Sequence, residues 1–209
     1  MTSAEGVGRH LALLCLERDG RLTGTRWAGP AVRAGLLADL ALAGRLTETE
    51  DAVTVDVVPS GDPLADAVAR ELVGPPDRSL DQVVQEGRPD LAEVARALVA
   101  EGVWEPLRPH WWRRGDRYRP ADPALSRAAV SAALDEAGPG SAPSLAAAAV
   151  IAGVAGLRGG RFDDIREDLL TASGDAAWVV GAAAAAIEAA RAWYGSVGRM
   201  TIADLNIPG

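Results

Sequence analysis

The residues best suited to chemistry in this chain are arginines placed near the starts of helices. Arg26-Trp27 stands just before Gly29-Pro30, and Arg88 stands just before Pro89. Proline is tolerated at the first helical position, where its missing N–H does no harm, so Pro30 and Pro89 both mark expected helix starts. A helix N-terminus presents unpaired N–H groups and a partial positive charge, which suits phosphate. An arginine beside it adds a planar fork that grips two oxygens at once. Arg33, one turn into the first helix, leans back toward the same end. Trp27 can cover a sugar ring or sit at a lipid interface. Trp27, Arg33 and Arg88 are therefore the expected anion-binding residues. Surface ion pairs and a packing tryptophan fit the same pattern, and spacing alone leaves both readings open.

A second cluster differs in composition from everything around it. Residues 103–119 hold Trp104, Trp111, Trp112 and Tyr118, with Arg108, Arg113, Arg114, Arg117 and Arg119. Against Glu105 and Asp116, these arginines give the segment +3 and leave −11 for the rest of the chain. Gly115-Asp116 marks the tip of a β-hairpin with an aromatic, basic surface. Trp111, Trp112, Arg113, Arg114 and Arg117 are its expected contact residues. They suit an anionic bilayer. They equally suit a protein partner or a second copy of the chain, since Trp and Arg anchor interfaces.

Other chemistries lack their residues. Two histidines and one cysteine give no HExxH, CxxC or similar metal spacing, so neither metal nor cofactor is expected. There is no GxSxG elbow and no glycine loop to cradle phosphate, so no catalytic residue is assigned and the chain is read as a non-enzyme. A net charge of −8 repels nucleic acid, which is excluded as a partner. The same acidity opposes anionic membranes. Membrane binding must then come from a local basic patch, felt within roughly 8–10 Å. All 21 basic residues are arginine, a coding habit that points to a GC-rich bacterial source. Cys15 sits in the apolar run Leu11-Ala12-Leu13-Leu14-Cys15-Leu16 and reads as a small buried hydrophobe. A single cysteine forms no internal disulfide and fits a reducing cytoplasm. No signal peptide is apparent. The apolar stretches 144–157 and 176–187 fall short of the ~18–20 residues of a membrane span. The expected location is cytoplasmic, peripheral on the inner face of the membrane.

The elements that must hold these groups are mostly helices. Apolar residues make up 48% of the chain and aromatics only 4%, with alanine abundant, which favours close helix-on-helix packing. The 209 residues suit one domain. The expected fold is mainly α: a compact helical single domain with peripheral β-hairpins and a loose tail over 195–209. Residues 8–17 form a helix or a strand, which so short an apolar run leaves undecided. Pro30 opens a helix with Val32, Leu36, Leu40 and Ala43 on its apolar face, and Gly44 ends it. Alternation of Val53, Val55 and Val57 with polar residues gives a hairpin of strands 45–49 and 53–58. Helices are expected over 64–73, 79–86 and 90–101, the last burying Leu91, Val94, Leu98 and Val99. Asp122-Pro123 opens a helix to about residue 137. Alanine-rich helices fill 144–157 and 175–194, with a shorter one near 161–171.

Three ordered blocks resemble the Golgi phosphoprotein 3 family. The run Val32-Arg33-Ala34-Gly35-Leu36-Leu37-Ala38-Asp39-Leu40-Ala41-Leu42-Ala43-Gly44-Arg45-Leu46 resembles its "LRG…ELALRGRL" helix. Pro59-Ser60-Gly61-Asp62-Pro63-Leu64 resembles its "PTGD-x-L" turn, and Leu98-Val99-Ala100-Glu101-Gly102-Val103, downstream of Arg88, resembles "LVEKGVL". Order and spacing agree over roughly residues 9–135. The resemblance implies a helical adaptor that holds a phosphatidylinositol 4-phosphate headgroup at a membrane surface. Its headgroup pocket of one tryptophan and three arginines carries over to Trp27, Arg33 and Arg88, with Leu91 in place of the third arginine. Losing one charge-assisted phosphate contact costs about 1.5–3 kcal/mol. The family's hairpin for membrane contact and self-association falls on 103–119. A protein-interaction module of the same fold without a lipid ligand is the alternative.

Overall fold

The computed structural model describes residues 6–48, 53–74, 78–107, 115–158 and 162–197. Among them are nine α-helices and two small antiparallel hairpins, so the protein is mainly α with β structure at its periphery. The undecided first segment is a helix, α1 (Val7–Leu14), followed by a single bridge between Leu16 and Leu22.

Helix α2 (Ala28–Leu42) is the hub. Twelve of its 15 residues are buried, so it has no polar face. Helix α1 packs on it, as do α3 (Pro63–Val73), α4 (Leu80–Glu86), α7 (Pro143–Val154) and α9 (Ala177–Val197). Small residues make this crowding possible. A Cβ on Gly35 would stand 2.8 Å from the backbone of Gly8, and one on Gly8 would stand 2.7 Å from Leu36 Cδ2. The two glycines therefore let α1 and α2 touch backbone to backbone. Asp39 of α2 completes the join: its carboxylate accepts the Val7 and Gly8 N–H groups at 2.7 and 2.9 Å, capping α1 from a neighbouring helix.

Short capping signals place the middle helices. Asp62 Oδ1 accepts the Leu64 and Ala65 amides at the start of α3. Gln82 returns to the Ser79 amide ahead of α4. Asp90 and Glu93 form a reciprocal capping box on α5 (Leu91–Ala100). The first hairpin pairs β1 (Leu46–Glu48) with β2 (Val53–Val55) in the register Leu46 to Val55. The second pairs β3 (Trp104–Pro106) with β4 (Tyr118–Pro120) in the register Trp104 to Pro120.

The structure departs from expectation in three places. The helix expected from Asp122 is interrupted: a 3-10 turn at Pro123–Leu125 gives way to extended Ser126, whose Oγ caps α6 (Arg127–Asp135). The short segment near 161–171 is a 3-10 turn at Asp163–Ile165 followed by α8 (Arg166–Ala172). Helix α9 runs through Gly195 to Val197, so the first three residues of the expected loose tail are helical. Residues 198–209 lie outside the described ones. Among the described residues no single helix is long and apolar enough to cross a membrane.

Candidate functional site

The site is best followed from Arg33, whose side chain links the two expected helix starts. Arg33 folds back along α2 until its Nη1 lies 3.3 Å from where a Cβ on Gly29 would be. Glycine at position 29 leaves that space. From there the guanidinium donates to the carbonyls of Val84 at 2.9 Å, Gln85 at 2.8 Å and, more weakly, Pro89 at 3.4 Å. Two of these belong to the last turn of α4, whose carbonyls have no partner within the helix and which a cation suits. Arg33 is thus the C-terminal cap of α4, supplied by α2. It is only 5% exposed. Burial lowers its pKa to about 10, with Asp90 and Glu71 opposing the fall, so it stays a cation at neutral pH.

The same knot brings the Arg88-Pro89 link to the N-terminus of α2. The Arg88 side chain is 70% exposed and lies 3.3 Å from Glu93 Oε1. Its peptide bond to Pro89 is cis. Pro89 precedes the cap residue Asp90 instead of opening α5, and Pro30 is the third residue of α2, not its first. The α2 N-terminus has no side-chain cap and no acidic residue in its first turn. Gln85 ties α4 to the third partner, donating to the Ala186 carbonyl of α9 at 2.9 Å.

Trp27 is the N-cap residue of α2, partly buried against the core. Its ring meets Tyr194 of α9 edge-on at 6.0 Å. The guanidinium of Arg26 sits 3.7 Å over the Tyr194 ring and 5.9 Å from the ring of Trp27, a cation–π arrangement. Sequence reasoning missed Tyr194; its position near the end of a long alanine-rich helix carries no local signal of this contact. The structure therefore brings Trp27, Arg33 and Arg88 into one neighbourhood, with Arg33 buried, Arg88 exposed and Arg26 added. Leu91 packs against the core, in keeping with its place on the apolar stripe of α5. Carboxylates temper the charge: Glu93 pairs with Arg88, and Glu71 pairs with Arg78.

The second expected contact surface is described only at its base. Trp111, Trp112, Arg113 and Arg114 lie outside the described residues. Arg117 does not face solvent: it is 8% exposed, 3.0 Å from the Asp19 carboxylate and bonded to the Asp19 carbonyl. Trp104 is a core residue, tilted against Tyr118 at 5.8 Å. Exposed Arg119 pairs with Glu105 across the strands. The base of the hairpin faces inward because its bulky rings fill the core. A cavity of about 660 Å³ lies between this hairpin, the 16–20 loop and α6. Two of its three arginines are engaged, Arg127 with the Leu16 carbonyl and Arg119 with Glu105, and it shares no residue with the α2 edge. Among the described residues no cluster of three or more potential ligands is placed to hold a metal ion.

The body is mainly helical, with a basic, aromatic edge at the N-terminus of its central helix. The family model of Golgi phosphoprotein 3 (GPP34) matches residues 8–192, and the chain belongs to that family. No curated protein matches the chain.

Proposed function

We propose that the protein is a non-catalytic adaptor that binds an anionic, phosphoinositide-like phospholipid headgroup from the membrane surface. The supporting observation is the convergence of an uncapped, acid-free helix N-terminus with Arg33, Arg88 and Trp27. In this reading Arg88 and Arg26 reach the phosphate directly, Trp27 borders the site, and Arg33 supplies a buried positive charge while holding the two helices together. Family membership supports the adaptor role. A second reading, a protein-interaction module without lipid, draws on Leu91 and on the carboxylates Asp90 and Glu93 beside Arg88.

Co-sedimentation with vesicles separates the two readings. Neutral vesicles are compared with ones carrying phosphatidylinositol 4-phosphate or cardiolipin, at low and physiological salt. Binding that prefers the phosphorylated headgroup and survives physiological salt is expected. Arg88→Ala removes one charge-assisted contact. Because that side chain is exposed and screened, the loss sits at the low end of 1.5–3 kcal/mol, about tenfold in affinity. Unchanged binding by Arg88→Ala would remove the pocket, and no binding to any vesicle would leave the interaction module.

A further inference from the structure

The rings beside this site are exposed to a degree that packing does not require. Near its end helix α9 carries Trp193 and Tyr194, 59% and 44% exposed, which are the only aromatics among the large apolar side chains left in solvent in the described residues. Their rings touch edge-on at 4.7 Å. Tyr194 also carries the Arg26 guanidinium at 3.7 Å and the edge of Trp27 at 6.0 Å. Residues 190–197 contain one charged side chain, Arg191, and no carboxylate, in a chain of net charge −8. Arg191 turns inward to the Val154 carbonyl, so Arg26 on the Tyr194 ring is the cation that this edge offers to a negative surface.

We infer that the C-terminal end of α9, with Arg26, is an interfacial anchor that seats Trp193 and Tyr194 among the headgroups of an anionic bilayer. This rests on the headgroup reading above and adds a second, apolar contact to it. Tryptophan and tyrosine settle at membrane–water interfaces, where one side of the ring is apolar and the other is wet. An arginine stacked on such a ring keeps its charge at phosphate level. Gln85, at the end of α4, is bonded to Ala186. Eight residues of helix separate Ala186 from Tyr194, a rise of about 12 Å. The aromatic pair thus lies about two turns of α9 from the helix end that Arg33 caps.

The test uses the full chain with two ligands: phosphatidylcholine vesicles containing phosphatidylinositol 4-phosphate, and soluble inositol 1,4-bisphosphate. Trp193→Ala, which spares the Tyr194 ring under Arg26, is expected to lower vesicle affinity about tenfold while leaving soluble headgroup binding unchanged. Arg88→Ala should weaken both. Quenching of tryptophan emission by brominated lipid should fall in Trp193→Phe, a variant that keeps a ring and so keeps the fold. Vesicle affinity of Trp193→Ala within twofold of the parent overturns the anchor. So does a dimer that dissociates on the same substitution without change in vesicle binding, since the patch is then a contact between copies. Vesicle binding that needs the rings in a protein blind to the soluble headgroup supports the anchor and overturns the headgroup site. No vesicle binding by the parent overturns both.

Discussion

Arg33→Ala tests whether this arginine holds the fold or waits for a ligand. Its guanidinium makes two good bonds to α4 carbonyls, at 2.8 and 2.9 Å, and one long one of 3.4 Å that counts for little. Charge-assisted bonds contribute about 1.5–3 kcal/mol each, so the two good ones amount to roughly 3–6 kcal/mol. Burial of the cation opposes this. A pKa lowered from 12.5 to about 10 corresponds to about 3 kcal/mol against the charged form. Truncation also leaves the α4 carbonyls without partners in a nearly dry site, so the bonds outweigh the burial. The expected loss is about 2–4 kcal/mol of unfolding free energy, a large share of the ~5–15 kcal/mol typical of a domain. Urea unfolding followed by far-ultraviolet circular dichroism measures it. Arg33→Lys should recover less than half, since one ammonium on a flexible stem cannot reproduce the guanidinium fork that meets the Val84 and Gln85 carbonyls together. A loss below 1 kcal/mol in Arg33→Ala, with vesicle binding abolished, would show that the side chain serves the ligand and refute the capping argument.

Three further outcomes follow from the interior. Burial pushes the Asp39 carboxyl up to about 6 from 3.8, with the Val7 and Gly8 amides pulling the other way. Between those values the folded state keeps a proton that the unfolded chain has released, so this group's contribution to stability falls as pH rises from about 4 to about 6, by at most ~3 kcal/mol. Unfolding free energies at pH 4.5 and 7 should show that fall, and Asp39→Asn should flatten it; an equal slope in both proteins counts against it. Gly35→Ala forces a methyl group against Gly8 and Leu11 and should cost about 1–3 kcal/mol, or roughly 2–12 °C in Tm; an unchanged Tm would mean that α1 can shift freely. Burial raises the Cys15 thiol to about 12, so a disulfide-exchange reagent at pH 8 should label it only as the protein unfolds, whereas prompt labelling would contradict the packing.

Much of the helix order was legible because turn chemistry marks it. Gly44 and Gly102 adopt φ of 69° and 73°, as residues past a helix end do, and stop α2 and α5 where expected. The strand read over 53–58 ends at Val55, and Val53 and Val57 are exposed, so the alternation there marks a strand without a buried face. The break at Ser126 was hidden because the alanine-rich sequence around it is helical by propensity, while the Ser126 cap that interrupts it is a local alternative. The central place of α2 was also hidden. A helix buried on nearly all sides loses the periodic contrast that reveals which face packs. At the site, helix geometry correctly sends Arg33 toward the start of α2. What it meets there comes from a segment about 50 residues away, and no local pattern encodes that meeting. Arg117 misled for a similar reason. Composition marked it as surface charge, whereas its partner Asp19 lies 98 positions back in the chain.

The hub position of α2 also sets a timetable. Its partners α7 and α9 begin at residues 143 and 177, more than a hundred positions after α2 ends at residue 42. At roughly 5–20 residues per second, a ribosome needs some 7–27 s to reach the start of α9 once α2 has been made. Until α7 and then α9 are made, an apolar helix with almost no polar face has only α1 and the middle helices to lean on. The growing chain is most vulnerable to aggregation in this window, and a chaperone at the ribosomal exit would find in α2 its most persistent client.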